Sequence, residues 1–171
     1  MTWQPVRCRV QAFAYSRGVK TILTPVDFSE VSDAVVAQAA ALARALNGRV
    51  VLFTAIQPPV ITNEYAPLME NIAEITAAGE KAASKRLAAM QNKLEGESVP
   101  VEVVQVNGAP VVLIAEQAQK VGADYIVMGS HGHTAFYDLL VGSTTHGVLR
   151  RAACPVVIVP SQTKKSAKRK K

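Results

Sequence analysis

Two glycine-punctuated stretches hold the residues of this 171-residue chain best suited to chemistry: Gly129-Ser130-His131-Gly132-His133-Thr134 and Gly142-Ser143-Thr144. Glycines at 129 and 132 let the backbone take positive φ and approach a ligand closely. Gly142, Ser143 and Thr144, if they open a helix, offer unpaired N–H groups and hydroxyls to an anion, with the helix dipole adding roughly 0.3–1 kcal/mol per charge. Several such donors could hold a polyphosphate without a lysine. A third stretch, Pro25-Val26-Asp27, ends in a carboxylate able to accept hydrogen bonds from a ribose hydroxyl pair, as acidic residues do in dinucleotide folds. Each stretch also has a plainer reading. Glycines turn chains, and Ser143 and Asp27 are ordinary helix caps. Their arrival together on one edge of a sheet favours the ligand.

Other chemistries are excluded by what is missing. There is no G-x-x-x-x-G-K-[ST] for a lysine-dependent phosphate loop, no G-x-G-x-x-G after the first strand, and no G-x-S-x-G nucleophile elbow. No side chain stands out as a nucleophile or a general base. His131, His133 and His146 lie in or near the glycine stretches. A His-x-His pair can bind metal, but the plainer reading turns one ring toward phosphate and leaves the others in solvent. Cys8 and Cys154 have no metal-ligand spacing and are too few for a disulfide scaffold. Cys154, before Pro155, reads as a small buried hydrophobe.

The elements that must position these residues alternate. Thr21–Val26, Val50–Ile56, Val99–Val106, Asp124–Met128 and Pro155–Val159 are short, apolar and β-branched, and read as buried strands. Helices are expected between them: one starting at Phe28–Ser32, capped by Asp27 or Ser29 and stopped at Asn47-Gly48; one from Met69 to Leu94; one from Val111 to Val121; and a short one from Gly142 to Ala152. The long helix shows a stripe at Ile72, Thr76, Gly79, Ala83, Leu87, Met90 and Leu94. Residues 57–68 hold three prolines and read as an irregular loop. This β-α-β order, with strands apolar on both faces, predicts an α/β fold: a five-stranded parallel sheet with helices on both faces. Such sheets bind ligands beyond the carboxyl ends of their strands, where the three stretches fall.

Composition narrows the class further. Hydrophobic residues make up 49% of the chain and aromatics 5%, enough for a core of close helix-on-strand contacts. No run approaches the roughly 18 apolar residues of a membrane span. The net charge of +6 belongs to the ends. Residues 164–171 (KKSAKRKK) hold six cations and residues 1–18 hold three; the ten left in residues 19–163 face all 13 acids, a net of −3. A generally basic nucleic-acid face is therefore not expected. Three regions follow: a flexible leader at 1–18, a nucleotide-binding domain at 19–160, and a basic, disordered tail at 161–171. The tail is expected to be solvated, nucleic-acid contact being the less favoured reading. The leader lacks the apolar run of a secretory signal, and the cytoplasm is the expected location.

The Gly129-x2-Gly132-x9-Gly142-Ser143 spacing, the Met128-Gly129-Ser130-His131-Gly132 wording and the Cys154–Pro160 strand resemble the nucleotide-binding pattern of the universal stress protein family. Ile22-Leu23-Thr24-Pro25-Val26-Asp27-Phe28-Ser29 looks like that family's first strand and turn. The resemblance covers about residues 19–160. It implies a five-stranded parallel α/β sandwich that dimerises and, in members with these glycines, binds ATP, with Mg2+ or Mn2+ beside the phosphates. By the same resemblance Pro25, Val26 and Asp27 would line adenine and ribose, and Ala55 would touch adenine through its backbone. Met128, Gly129 and Gly132 would frame the ribose-phosphate turn, Ser130 and His133 would join the nucleotide-binding residues, and Gly142, Ser143 and Thr144 would hold phosphates. The chain departs from the pattern in its leader and tail, in His133 where a longer polar or basic residue is common, and in a small Ala55. The expectation is an ATP-binding regulatory homodimer joined through Val156–Val159, with slow hydrolysis or none. The alternatives are a nucleotide-using enzyme, either a slow ATPase or a nucleotidyl transferase, and an interaction module without nucleotide.

Overall fold

The computed structural model describes residues 18–57, 69–130 and 141–161. Five strands, β1 (Thr21–Pro25), β2 (Arg49–Ile56), β3 (Val101–Asn107), β4 (Tyr125–Gly129) and β5 (Val156–Val159), form one sheet in the order β3-β2-β1-β4-β5. Every pairing is parallel, with Leu23 opposite Val51 on one side and Ile126 on the other. The helices are α1 (Ser32–Ala45), α2 (Met69–Gly96), α3 (Pro110–Lys120) and α4 (Ser143–Leu149). The expected α/β sheet, helix-covered on both faces, is what folds.

From β1 the chain steps outward to β2 and β3, then returns past β1 to β4 and β5. Crossovers of one hand require the helices to change face when the direction reverses. They do. α1 and α2 pack one face through Val35, Val36, Ala39, Ala43, Leu87 and Leu94 on Ile22, Val50, Leu52 and Val127. α3 and α4 pack the other through Ile114, Ala118 and Val148 on Leu23, Val51, Phe53, Ile126 and Met128. Three buried alanines, Ala39, Ala40 and Ala43, bring α1 down close on the sheet. α2 spans about 42 Å at 1.5 Å per residue, longer than the strands beneath it. Among its described side chains the buried ones, Ala83, Leu87 and Leu94, lie in its second half, while Gly79, expected in the apolar stripe, is exposed.

At the amino edge of the sheet, the Thr21 N–H donates to Asp124 Oδ2 (2.9 Å), the Asp124 N–H donates to the Thr21 carbonyl (2.8 Å), and Lys20 Nζ lies 2.8 Å from Asp124 Oδ1. In the middle of β1, Thr24 is fully buried and its hydroxyl has no hydrogen-bond partner among the described residues. Burying an unpaired hydroxyl costs about 1–3 kcal/mol. Thr24→Val keeps the branched shape and removes that cost, so the variant is expected to unfold in urea with stability raised by about 1 kcal/mol.

Two local expectations need correction. The first helix starts only at Ser32, the last residue of the expected Phe28–Ser32 span, and it is not capped by Asp27 or Ser29. Phe28 takes a left-handed φ of 63°, which breaks the helix, and α1 begins at Ser32 behind Val31 with no side-chain cap. Asp27 instead caps the tight turn before it: Oδ1 accepts from the Ser29 N–H (3.0 Å), the Ser29 hydroxyl (2.6 Å) and the Ser32 hydroxyl (3.3 Å). Nor does Gly129 use glycine's left-handed freedom. It closes β4 opposite Val159, and the positive-φ glycines among the described residues are Gly108 and Gly122.

Candidate functional site

The reversal of strand order between β1 and β4 parts the loops at the carboxyl edge of the sheet. A cleft of about 470 Å³ opens there, a usual size for a small-molecule site. Nine of the residues singled out in the sequence line it: Pro25, Val26 and Asp27 after β1, Ala55 in β2, Met128 and Gly129 ending β4, and Gly142, Ser143 and Thr144 at the start of α4. Ser130 does not line it. Gly132 and His133, with His131, lie outside the described residues, as do most of the proline-bearing loop, the leader before Gly18 and the tail beyond Ser161.

Backbone and hydroxyl bonds hold these segments in register. The Val26 N–H donates to the Phe53 carbonyl (2.8 Å), and Thr54 Oγ1 donates to the Val26 carbonyl (2.8 Å), tying the exit of β1 to β2. Thr145 Oγ1 donates to the Gly129 carbonyl (2.8 Å), tying α4 to β4. The Gly142 N–H donates to the Ser130 carbonyl (2.7 Å), which brings together the two ends of segment 131–141. Ser130, 7% exposed, works as a joint: its N–H donates to the Val159 carbonyl (2.8 Å), and its Oγ accepts from the Ser161 N–H (3.1 Å).

α4 is shorter than the expected Gly142–Ala152, at seven residues, with extended Gly142 (φ −66°, ψ 158°) as its N-cap. A glycine cap has no side chain to bond the first-turn N–H groups, so these stay available to a ligand. Helix-dipole help is small over two turns. Charge in the cleft is sparse too: among its described lining residues Asp27 is the one ionisable side chain, and there is no lysine or arginine. The cleft can offer amides and hydroxyls at one end, and apolar walls with a carboxylate at the other.

Sequence reasoning missed Thr54, Thr145 and Phe28, all of which line the cleft. Thr54 was detectable, as a hydroxyl inside the apolar run VVLFTAI must find a buried partner. Phe28 was not, because aromatic residues rarely adopt left-handed φ. Arg86 lies 5.5 Å over the Phe28 ring. His146 is exposed, and no group of three metal-ligating side chains gathers among the described residues. Cys154 is half-buried; burial first, and then the charge of Asp124, push its thiol above the usual range, which leaves it protonated and weakly nucleophilic at neutral pH.

The universal stress protein family model matches residues 18–160. Universal stress protein MJ0577 of Methanocaldococcus jannaschii is 28% identical over 152 residues, spanning 82% of this chain and 94% of the relative. Universal stress protein MJ0531 of the same organism is 30% identical over 146 residues, spanning 85% and 84%. The solved structure of MJ0577 superposes with a TM-score of 0.73, covering 84% of this chain and 97% of that one at 28% identity. A universal stress protein solved in complex with cAMP superposes at 0.59, with 27% identity and coverage of 83% and 97%. UspA from Lactobacillus plantarum, at 22% identity and a TM-score of 0.74, covers 82% and 97% and shares the fold.

Proposed function

The chain belongs to the universal stress protein family, and from that membership we propose that its cleft binds an adenine nucleotide, ATP foremost, and works as a nucleotide-dependent conformational and dimer switch in a stress response. One observation carries the reading: three separate stretches of sequence converge on a cleft of nucleotide size at the reversal of strand order. The cAMP complex of a relative supports the ligand class. Adenine would lie against Pro25, Val26, Ala55 and Met128, and the Asp27 carboxylate would take the ribose hydroxyls. The phosphates would meet the backbone around Gly129 and the amides and hydroxyls of Gly142, Ser143 and Thr144. Ser130 would act from behind by fixing both ends of the phosphate loop. Gly132 and His133, carried from the family pattern, belong to the same turn.

A Mg2+ or Mn2+ fits this cleft poorly as a protein-bound ion. Asp27, the one carboxylate among its described lining residues, already accepts three hydrogen bonds on Oδ1. Such an ion would arrive on the phosphates, with Ser143 and Thr144 supplying neutral oxygens. Among the described lining residues the same carboxylate is the one general base, and turnover is expected to be slow or absent. β5 is an edge strand whose four residues are all half-buried, Val156 through Val159. Pairing that open edge with a second copy would complete the homodimer. A cytoplasmic location goes with this reading.

The test is to denature the purified protein and resolve any released nucleotide on a column, then titrate the nucleotide-free protein with ATP and magnesium by calorimetry. Sedimentation with and without ATP follows the dimer. Co-purified adenine nucleotide and a micromolar Kd are expected. A Kd of about 1 mM or weaker, near −4 kcal/mol, would instead make the chain an interaction module.

A further inference from the structure

A second cavity, of about 400 Å³, opens between the turn after β1 and the second half of α2. It stands beside the candidate cleft: Phe28 and Ser32 line both, and the rest of its lining is its own. One wall is a single face of α2, where Arg86, Ala89, Met90 and Lys93 fall at i, i+3, i+4 and i+7. The two cations stand at its ends, about 10 Å apart along the helix axis. Ala89, Met90 and Phe28 are its apolar part. The facing wall, from the turn and the start of α1, brings Ser29, Ser32 and Asp33.

Two features set this groove apart from ordinary surface. Phe28 holds a φ of 63°, a backbone conformation that costs a non-glycine residue about 1–3 kcal/mol and that clusters at functional sites. Glycine would make the same turn without that cost, yet the chain carries an aromatic ring there. The polar groups are also sorted by sign. The α2 wall holds the cations, and neither Arg86 nor Lys93 joins an ion pair among the described residues. The Arg86 guanidinium lies 5.5 Å from the centre of the Phe28 ring, at the groove's apolar part. The facing wall holds acceptors: the Asp33 carboxylate, and two serines whose hydroxyls already donate to Asp27 Oδ1 (2.6 and 3.3 Å). A simple anion would meet Asp33, and a simple cation would meet Arg86 and Lys93. A ligand with both charges on an apolar body suits every group.

We propose that this groove binds a free amino acid with an apolar or aromatic side chain. Its carboxylate lies on Arg86 and Lys93, its ammonium on Asp33 with the serine oxygens as further acceptors, and its side chain against Phe28, Ala89 and Met90. The three charged residues are exposed, so each ionic contact is weak, and a Kd of about 1 mM is expected. The site does not rest on the nucleotide reading and is tested without nucleotide.

The experiment titrates the isotope-labelled full chain at neutral pH and follows its amide resonances by NMR. The probes are phenylalanine, N-acetylphenylalanine without the ammonium, phenethylamine without the carboxylate, and glycine without the apolar body. Phenylalanine is expected to give saturable shifts at Phe28, Ser29, Ser32, Arg86 and Met90, and each of the other three to bind at least about fivefold more weakly. Asp33→Asn is expected to weaken phenylalanine about fivefold and to leave N-acetylphenylalanine no weaker; Arg86→Gln with Lys93→Gln weakens both and leaves phenethylamine no weaker. Dispersed spectra show that the variants are folded. The proposal is overturned if phenylalanine gives no saturable shifts up to about 10 mM, or shifts Gly142–Thr145 in place of the groove. Equal binding of N-acetylphenylalanine or phenethylamine, or variants that bind phenylalanine as the parent does, would overturn it as well.

Discussion

Gly142→Val is expected to weaken ATP binding at least about a hundredfold, near 3 kcal/mol, with the melting temperature within a few degrees of the parent. The two halves of that expectation have separate causes. Gly142 has extended backbone at φ −66° and ψ 158°, a conformation that valine adopts readily, and it caps a helix without using a side chain. The fold therefore has little reason to object. The added isopropyl group, however, projects from a residue that lines the cleft, beside the first-turn amides that would meet the phosphates. Calorimetry with ATP, paired with a thermal melt, checks both halves. Normal ATP binding by a folded Gly142→Val protein would move the phosphate end of the site elsewhere.

The largest stability loss is expected at Leu52. It is fully buried near the middle of β2, paired with Thr24 of β1 and Val103 of β3, in the cluster under α1 and α2. Leu52→Ala removes buried carbons and leaves a hole that rigid neighbouring strands cannot close, a loss of about 3 kcal/mol in the usual range for such sites. For a domain of this size the melting temperature falls by roughly 9 °C. Leu52 is not among the residues lining the cleft, so ATP affinity measured well below the melting temperature should be unchanged. A melt shifted by less than about 2 °C would mean that this layer repacks around the cavity.

The fold was legible because its signals are local. Runs such as VVLFTAI and VVIV are apolar on both faces, which a parallel sheet between helices demands, and Asn47-Gly48 and Gly122 mark helix ends plainly. Ser29 and Glu30 look like a helix start, yet Phe28 turns left-handed because the Asp27 carboxylate gathers Ser29 and Ser32 into a tight turn; a helix rule read residue by residue cannot see that competition. Gly79 fell in the expected stripe because periodicity says nothing about how much of a long helix has a sheet beneath it. The cleft was legible where glycines and a carboxylate end strands. It was illegible at Ser130, whose importance comes from three segments meeting in space: β5, Gly142 and Ser161.

The Asp124 clamp at the opposite rim has a practical consequence for engineering. Lys20, Thr21 and Asp124 lock β1 to the start of β4 by an ion pair, one backbone-to-carboxylate bond and one backbone–backbone bond, well away from the loops that shape the cleft. That rim can be kept as a fixed chassis while the loops across the sheet are re-cut for a differently shaped guest.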